Sequence, residues 1–376
     1  MDRELELYIH IPFCMKKCAY CDFLSASAGM EEKRAYFDAL IREIRNCGDF
    51  SNYTVVSVFF GGGTPSVFPG EWIASVMDEI KKHFTLKNDA EITIEANPGT
   101  VDRGKLSYYR KAGINRISFG CQSADDTELK KLGRIHTWAE FLESYKMARD
   151  AGFDNINVDL MSALPGQNAA SWEHTLEKVT ALGPEHISAY SLIIEEGTPF
   201  YEMQDQLELP DEDEERLMYE QTAQILREYG YEQYEISNYA KPGKACRHNI
   251  GYWTGVDYLG LGLGSSSYIN GSRFHNTTDM KEYLEVCEDP VPMRQEIQKL
   301  SEQEKMEEFM ILGLRMNAGV TEQEFERRFG LPMEQIYGSV LSKYIGEGFL
   351  KRENGRVFFT RKGISVSNVI LADMLL

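Results

Sequence analysis

The stretch Leu5-Glu-Leu-Tyr-Ile-His-Ile-Pro-Phe13 leads directly into Cys14-Met-Lys-Lys-Cys18-Ala-Tyr-Cys21. The first part is a short, largely apolar run, which predicts a strand. The second part is a C-x-x-x-C-x-x-C loop, short enough to hold three thiolates at three corners of one iron–sulfur cube. No fourth cysteine follows at a matching interval. A four-iron cluster held here would therefore keep one iron open to an exchangeable ligand.

Two other interpretations of the loop stay open. Three cysteines and His10 could form a zinc site, although zinc ligands more often come as two separate pairs. Three buried thiols are the second alternative, but a lysine-containing loop gains little from burying them. The remaining cysteines stand singly and are predicted to be small buried residues rather than cluster ligands. They are Cys47, Cys121, Cys246 and Cys287.

Composition narrows the class of protein. The chain has 376 residues, enough for one large domain and a smaller one, and a formal net charge of −19. That charge argues against nucleic acid or an anionic membrane as a bulk electrostatic partner. The first residues have neither the basic nor the apolar part of a secretory signal, and no apolar run is long enough to span a membrane. Unpaired cysteines fit a reducing compartment, so we expect a cytoplasmic protein.

The first half of the chain alternates between strand-like and helix-like periodicity. Such an alternation predicts a parallel sheet, and about six β/α units in right-handed succession predict a partial, three-quarter TIM barrel. The predicted strands are Leu5–Phe13, Tyr53–Phe60, Glu91–Ala96, Arg116–Gly120, Asn155–Leu160 and His186–Ile194. The predicted helices are Glu31–Arg45, Glu71–His83, Arg103–Ala112, Phe141–Ala151 and Ser171–Leu182.

Polar and glycine residues follow these strands where a barrel carries its active site. They are Gly61, Gly62, Gly63, Thr64, Glu95, Asn97, Gln122, Arg134 and Asp159. Asp159 alone could simply cap a helix or pair with a neighbouring strand, but several such positions facing one mouth favour a functional site. The glycine triplet permits close approach of a ligand, or it makes a tight turn. It lacks the Lys-Ser or Lys-Thr of a phosphate loop.

Beyond about residue 195 the alternation stops. Asp211 is a candidate N-cap for an acidic helix start. The stretches 246–253 and 273–276 then combine aromatic, arginine and histidine residues, which suit a planar ligand that carries carboxylates. A polar edge strand is the alternative. The repeated glycines Gly260, Gly262 and Gly264 are interpreted as packing residues without a cofactor role.

The last part of the chain predicts a small α+β domain. The segment Glu285–Leu300 resembles a linker, and two or three helices follow it. Asn354-Gly355 then predicts a hairpin turn, so the pattern is winged-helix-like. We expect three regions: a partial barrel over residues 1–200, a region of helices and the aromatic motif over 201–285, and the winged-helix-like domain over 286–376.

These motifs together resemble the oxygen-independent coproporphyrinogen III oxidase family of radical S-adenosylmethionine (SAM) proteins, over nearly the whole chain. The motifs are Tyr8-x-His10-Ile-Pro-Phe-Cys14, the three-cysteine loop, Gly-Gly-Gly-Thr-Pro, Glu95, Gly120-x-Gln122, Arg134 and Asp159. The resemblance implies a [4Fe–4S] cluster on Cys14, Cys18 and Cys21. It also implies a SAM site lined by Tyr8, Tyr20, Gly62, Gly63, Thr64, Glu95, Gln122, Arg134 and Asp159.

Within that family, the string His248-Asn249-x-x-Tyr252-Trp253 resembles a signature of the HemW-type heme chaperone branch. The chain also lacks the further cysteine that the oxidases carry two positions after the third, because Phe23 stands there. The resemblance therefore implies heme binding at His248, with Arg247 and Arg273 near the propionates, and delivery of heme to hemoproteins. Membrane-associated acceptors and a homodimer are left open, and no catalytic residue is assigned. Oxidative decarboxylation of coproporphyrinogen III is the alternative.

Overall fold

The computed structural model describes residues 3–286, 289 and 291–376. Its first half alternates strands and helices, as the periodicity predicts. The elements are β1 (Arg3–Ile11), α1 (Met30–Asn46), β2 (Tyr53–Gly62), α2 (Gly70–His83), β3 (Leu86–Ala96), α3 (Arg103–Ala112), β4 (Arg116–Gln122), α4 (Asp126–Lys131), α5 (Trp138–Asp150), β5 (Ile156–Ser162), α6 (Ala169–Thr180) and β6 (His186–Ser191). Short 3₁₀ turns cover Pro65–Val67 and, farther on, Gln204–Gln206.

The middle of the chain extends this sheet at both edges. Its elements are α7 (Pro199–Glu202), α8 (Glu212–Glu228), β7 (Glu232–Gln233), β8 (Asn238–Ala240), α9 (Arg247–Thr254), β9 (Asp257–Leu261), β10 (Ser266–Ile269), β11 (Ser272–Asn276), α10 (Met280–Val286) and β12 (Arg294–Lys299). The Asp211 side chain accepts a hydrogen bond from the Glu214 backbone N–H at 2.9 Å, which confirms it as the N-cap of α8.

The strands form one open sheet in the order β12-β11-β10-β9-β1-β2-β3-β4-β5-β6-β8-β7. Strands β1 to β6 are parallel neighbours, and β9 adds a further parallel strand beside β1. Apolar residues of the sheet and of its covering helices form one large buried core. The architecture is the partial barrel that the sequence predicts, with its strand ends turned toward one mouth.

The C-terminal part has a second core of its own, which includes Phe325, Tyr337 and Leu341. Its elements are α11 (Glu302–Gly313), β13 (Val320–Thr321), α12 (Glu322–Phe329), α13 (Met333–Gly346), β14 (Leu350–Glu353), β15 (Arg356–Phe359), α14 (Arg361–Ile364) and α15 (Ser367–Ala372). Asn354 and Gly355 both have positive φ, at 52° and 71°, as the predicted Asn-Gly hairpin turn requires. The hairpin and β13 form a three-stranded sheet beside the helices.

In the second half of the chain one sequence prediction is wrong, and one alternative interpretation fails for residues 247–254. The segment 294–299 is the edge strand β12, paired with β11, rather than part of a linker. The stretch 247–254 is the helix α9, so a polar edge strand does not describe it. The predictions for Cys287 and for Pro290 lie outside the described residues. No helix among the described residues combines the length and the apolar run that a membrane crossing needs.

Candidate functional site

The three-cysteine loop follows β1 and is fixed at its ends and its middle. The Cys14 N–H donates to the Ala26 carbonyl at 3.0 Å and closes the loop. In the middle, the Ala19 N–H donates to Leu132 O at 3.0 Å, and Ala19 O accepts from the Phe200 N–H at 3.0 Å. These contacts tie the loop to the segments that follow β4 and β6. The loop therefore has a defined position over the mouth of the barrel.

The three thiols stand on one anchored loop. Cys14 is buried, Cys18 and Cys21 are partly exposed, and all three are free. Burial raises the pKa of Cys21, and the nearby Cys18 and Cys14 raise it further, so the sulfurs are close enough to affect one another's charge. Three sulfur donors on one anchored loop suit a four-iron cube, which spreads its ligands over separate irons.

A zinc site with His10 does not suit this arrangement. The His10 ring nitrogens lie 3.2 Å from the Tyr8 hydroxyl and 3.0 Å from the Leu24 carbonyl. Both nitrogens therefore have partners other than the cysteines. Among the described residues, no three His, Cys, Asp or Glu side chains are grouped so that they could hold a single metal ion.

The other described cysteines are isolated and buried. Cys47 donates to Ile44 O at 3.2 Å, Cys121 to Ser123 O at 3.4 Å, and Cys246 to a Glu91 carboxylate oxygen at 3.3 Å. Burial raises the pKa of each thiol, that of Cys47 to about 12. They remain neutral thiols with protein partners.

The glycines at the end of β2 are required by packing against the strand that leads into the loop. Gly62 has φ of +108°, and a Cβ atom there would lie 2.6 Å from the His10 ring. A Cβ atom on Gly63 would lie 2.7 Å from the Phe13 carbonyl oxygen. Thr64 comes next, and its hydroxyl lies 3.4 Å from the Cys14 sulfur. The glycines thus bring Thr64 to the cysteine loop.

Arg134 reaches the same loop from the segment after α4. Its guanidinium donates to Asn97 Oδ1 at 2.7 Å and to the Gly120 carbonyl, and it lies 3.6 Å from the Cys18 sulfur. The Tyr20 hydroxyl lies near this guanidinium, although burial still raises the pKa of the phenol. Thr64, Asn97 and Arg134 line a small recess together with Cys18. A cation beside the Cys18 sulfur and a recess suits a carboxylate-bearing cofactor.

Gln122 lies at a strained backbone position. Its φ is +68°, which is unusual for a residue with a side chain, and the pairing of β4 with β5 shifts register between Gly120 and Gln122. Such an irregularity at a strand end changes the direction of the side chain. Gln122 is nine per cent exposed at the rim of the barrel.

The interior of the barrel encloses a polar cavity of about 200 Å³. It brings together four predicted site residues: Tyr8, Glu95, Asp159 and His248. Burial, and after it the charge of Asp159, raises the pKa of Glu95 to about 8. Burial also raises the pKa of Asp159, against hydrogen bonds from Ser118 at 2.9 Å and Asn157 at 2.7 Å. Glu95 can therefore exchange a proton near neutral pH, and Asp159 holds its proton more readily than an ordinary aspartate does.

Sequence reasoning missed the polar groups that surround Asp159. Asn157 Oδ1 lies 2.5 Å from His186 Nδ1, and His186 Nε2 lies 2.8 Å from the Tyr234 hydroxyl. Arg116 is two per cent exposed beside these groups, and its Nε has no hydrogen-bond partner among the described residues. The sequence did carry a signal for these groups, because polar residues alternate with apolar ones along both strands. They are Arg116 and Ser118 in β4, and Asn157 and Asp159 in β5.

His248 lies inside the barrel on α9 and is one per cent exposed. Its Nδ1 lies 2.8 Å from the Ser57 hydroxyl, and its Nε2 lies 2.9 Å from the Tyr252 hydroxyl. Burial, and after it the charge of Arg116, lowers the pKa of His248 to about 3, so the ring is neutral. Of the two arginines expected near the propionates, Arg247 pairs with Asp89 at 3.1 Å and Arg273 pairs with Glu308, so they face different partners.

A second cavity of about 1070 Å³ lies between the barrel mouth and the C-terminal domain. From the barrel side it is lined by Tyr8, His10, Gly62, Glu95, Tyr252, Trp253, Tyr258, Tyr268 and Arg273, among others. From the C-terminal side it is lined by Glu308, Phe309, Leu312, Met316, Phe329 and Arg328, among others. Arg273 crosses the cavity edge and pairs with Glu308 at 2.8 Å. The cavity reaches the upper end of the size range typical of ligand pockets, about 300–1,000 Å³.

Comparison with known proteins assigns the chain to a family. Residues 8–179 match the radical SAM superfamily, and residues 300–366 match the HemN C-terminal domain. The chain is 36% identical to the heme chaperone HemW of Bacillus subtilis over 373 residues, covering 98% of both chains. The chain belongs to the HemW family of radical SAM proteins. The HemW of Escherichia coli is 36% identical over 94% of this chain and 96% of that protein.

Other relatives agree with this HemW assignment. The mouse protein named radical S-adenosyl methionine domain-containing protein 1, mitochondrial, is 32% identical and is covered over 87% of its length. The solved structure of Escherichia coli coproporphyrinogen III oxidase superposes with a TM-score of 0.86 over 100% of this chain and 90% of that one, at 24% identity. At that identity the likeness shows the fold alone. Membership in the radical SAM superfamily implies a [4Fe–4S] cluster and SAM as cofactors.

Proposed function

We propose that this protein binds heme in the cavity between the barrel and the C-terminal domain and delivers it to hemoproteins in the cytoplasm or at a membrane. The observation that carries the proposal is the cavity of about 1070 Å³, which adjoins the barrel mouth in a chain 36% identical to HemW heme chaperones. Tyr8, Gly62 and Glu95 line it, so it adjoins the predicted SAM site. A homodimer remains part of the proposal.

Cys14, Cys18 and Cys21 would hold the cluster in this proposal, which leaves one of its four irons without a cysteine ligand. When bound and reduced, the cluster supplies an electron to the SAM sulfonium. The residues of the chain itself position the two cofactors. Arg134 and Thr64 lie at the cysteine loop, and Glu95 and Asp159 offer hydrogen-bond acceptors deeper in the barrel. The assignment of Tyr8, Tyr20, Gly62, Gly63 and Gln122 to the SAM site follows the same family pattern.

The larger cavity suits a porphyrin in shape and chemistry. Aromatic rings from both sides of the cavity offer flat apolar surfaces, for example those of Tyr258, Phe309 and Phe329. Arg273, Lys305 and Arg328 lie along its edge and can pair with propionates. Each of these cations already has a carboxylate partner in Glu308, Glu302 or Glu324. A bound propionate therefore replaces an existing ion pair, which favours reversible binding over permanent retention.

Hemin titration of the anaerobically reconstituted protein tests the proposal. Iron and sulfide content should reach about four of each per chain. Hemin should then saturate at one per chain, and the loaded protein should load apomyoglobin at a rate different from that of free hemin.

The same preparation, given coproporphyrinogen III, SAM and a reductant, should form no protoporphyrinogen. Formation of protoporphyrinogen together with weak, non-saturating hemin binding would overturn the chaperone proposal and support the oxidase. Saturable hemin binding without decarboxylation supports the proposal.

A further inference from the structure

Most aromatic rings that line the larger cavity are already packed against a neighbouring ring. Tyr252 contacts Tyr258 at 4.8 Å between ring centroids, and Tyr258 contacts Tyr268 at 6.2 Å. On the C-terminal side, Phe309 contacts Phe329 at 5.8 Å. Part of the surface of each of these rings is therefore covered by the protein itself.

Phe23 differs from the other rings of this lining. It stands two residues after the last cysteine of the loop and is 64% exposed, although it lines the cavity. Among the described residues, its ring packs against no other aromatic ring and no cation. The free energy of burying this ring is therefore still available to a ligand that enters the cavity.

The backbone around Phe23 is held in place although its ring is free. The Phe23 carbonyl accepts a hydrogen bond from the Ser25 hydroxyl at 3.4 Å. The carbonyl of the next residue, Leu24, lies 3.0 Å from His10 Nε2. A Cβ atom on Gly264 would collide with the Leu24 side chain, so the glycine lets Leu24 pack closely there. A single exposed apolar residue is common on a protein surface, but this one is presented to a cavity by a fixed backbone.

A free phenyl ring distinguishes between two oxidation levels of the same macrocycle. A porphyrin is flat and can lie over the ring in an offset-stacked contact. A porphyrinogen carries the same side chains, but its bridging carbons are saturated and its macrocycle is puckered, so it cannot stack in this way. The cations Arg273, Lys305 and Arg328 at the cavity edge meet the same propionates in both ligands and cannot separate them.

We propose that Phe23 stacks on one face of the bound macrocycle and makes the cavity prefer a planar porphyrin to a porphyrinogen. The inference rests on the proposed function and names a specificity-determining residue within that site. No covalent bond forms or breaks in this contact. Because the ring gains its burial only with a flat ligand, it favours heme as cargo and disfavours the substrate class of an oxidase.

The experiment measures the affinities of protoporphyrin IX and protoporphyrinogen IX without oxygen, since these two probes share their side chains and contain no iron. The unaltered protein should bind protoporphyrin IX at least about tenfold more tightly than protoporphyrinogen IX. Phe23→Ala should bind protoporphyrin IX and hemin about tenfold more weakly, and protoporphyrinogen IX within about twofold of the unaltered protein.

Three further variants separate flatness from apolar area and from changes in the loop. Phe23→Leu keeps apolar area without a flat ring and should lose the preference, whereas Phe23→Trp should keep it. Met15→Ala is the matched control, because Met15 is 61% exposed on the same loop but does not line this cavity. Its affinities for both probes should equal those of the unaltered protein. Bound iron and sulfide should stay unchanged in all four variants, since each retains the three loop cysteines.

The outcomes distinguish this inference from the proposed function. The inference is wrong if Phe23→Ala keeps the preference or weakens both probes equally. It is also wrong if the unaltered protein binds hemin without preferring protoporphyrin IX to protoporphyrinogen IX. Each of these results leaves hemin binding, and with it the proposed function, in place. Failure of the unaltered protein to bind hemin would instead overturn the proposed function.

Discussion

Individual cysteines show how the surroundings of a side chain decide its chemistry. Cys14, Cys18 and Cys21 share one anchored loop, and Arg134 lies 3.6 Å from one of the sulfurs. Cys47, Cys121 and Cys246 each have a protein partner and a raised pKa in a buried setting. Sequence spacing was enough to separate the two groups, because both clustering and isolation are local properties.

Replacement of single cysteines by serine should remove the cluster when the cysteine belongs to the loop and leave it intact when the cysteine is one of the isolated ones. Cys18→Ser should lose most of the bound iron and the broad absorbance near 400 nm, which is about where such clusters absorb. Cys121→Ser should keep both, since its sulfur lies in the hydrophobic core and its hydrogen bond goes to the backbone carbonyl of Ser123, away from the cysteine loop. Retention of a full cluster by Cys18→Ser, or its loss from Cys121→Ser, would contradict the assignment.

Gly62 tests whether the close approach of β2 to the His10 ring requires a glycine. Gly62→Ala should destabilise the protein by about 1–3 kcal/mol, because φ is +108° and the new Cβ would lie 2.6 Å from the His10 ring. Gly99→Ala is the matched control, with φ of +78° and no atom within 4 Å of its Cβ. Urea unfolding should show the larger loss at Gly62, and His10→Ala should recover part of it in the double variant. Equal losses at the two glycines would show that the His10 contact does not matter.

Whole elements were predictable where their periodicity is local. The switch between periods of two and 3.6 residues predicted β1 to β6 and all the helices between them except the short α4. Strand β6 ends at Ser191, short of the predicted Ile194. The strand β12 was missed because Arg294-Gln-Glu-Ile-Gln-Lys299 is polar on both faces. The helix α9 was missed because its N-terminus is capped by a distant residue. The backbone N–H groups of Arg247 and His248 donate to the Glu91 carboxylate of β3, at 3.2 Å and 3.4 Å. A partner so distant in the sequence leaves no local capping signal.

Glu43 joins α1 to the segments around β11 and α10. Its buried carboxylate accepts from the Gly262 N–H at 2.8 Å, from Asn276 Nδ2 at 2.7 Å and from the Tyr283 hydroxyl at 2.7 Å. Burial nevertheless raises the pKa of Glu43 from the ordinary 4.5 to about 7. The folded state therefore binds more protons than the unfolded state between these two values, and stability falls as pH rises through that window.

The raised pKa of Glu43 should make the free energy of unfolding depend on pH between pH 5 and pH 8. The unaltered protein should lose about 2–3 kcal/mol more over this range than Glu43→Gln, which has no carboxyl to ionise. Glu31→Gln, on the exposed part of the same helix, is the control and should behave like the unaltered protein. Denaturant unfolding at the two pH values measures the difference. A parallel pH dependence in Glu43→Gln would contradict the raised pKa.

The whole molecule creates a site that neither of its cores contains alone. Arg328 donates to the Thr254 carbonyl at 2.9 Å, and Arg315 lies 4.6 Å from the centre of the Trp253 ring. These contacts hold the C-terminal domain against α9 and leave the large cavity between them. The sequence indicated a planar ligand near residues 246–253, but the wall supplied by α11 and α12 is formed by residues distant in the chain. For that reason, the cavity and the buried position of His248 were not predictable from the motif.

The central claim is that heme occupies this cavity, and a substitution that fills it tests the claim most directly. Ser266 is an exposed residue of β10 that lines the cavity, so Ser266→Trp should reduce hemin affinity at least about tenfold while the cluster content stays unchanged. Ile297→Trp adds a similar ring at an exposed position of β12 outside the cavity and should bind hemin normally. If Ser266→Trp binds hemin as tightly as Ile297→Trp and the unaltered protein, heme does not occupy the cavity and the account is wrong.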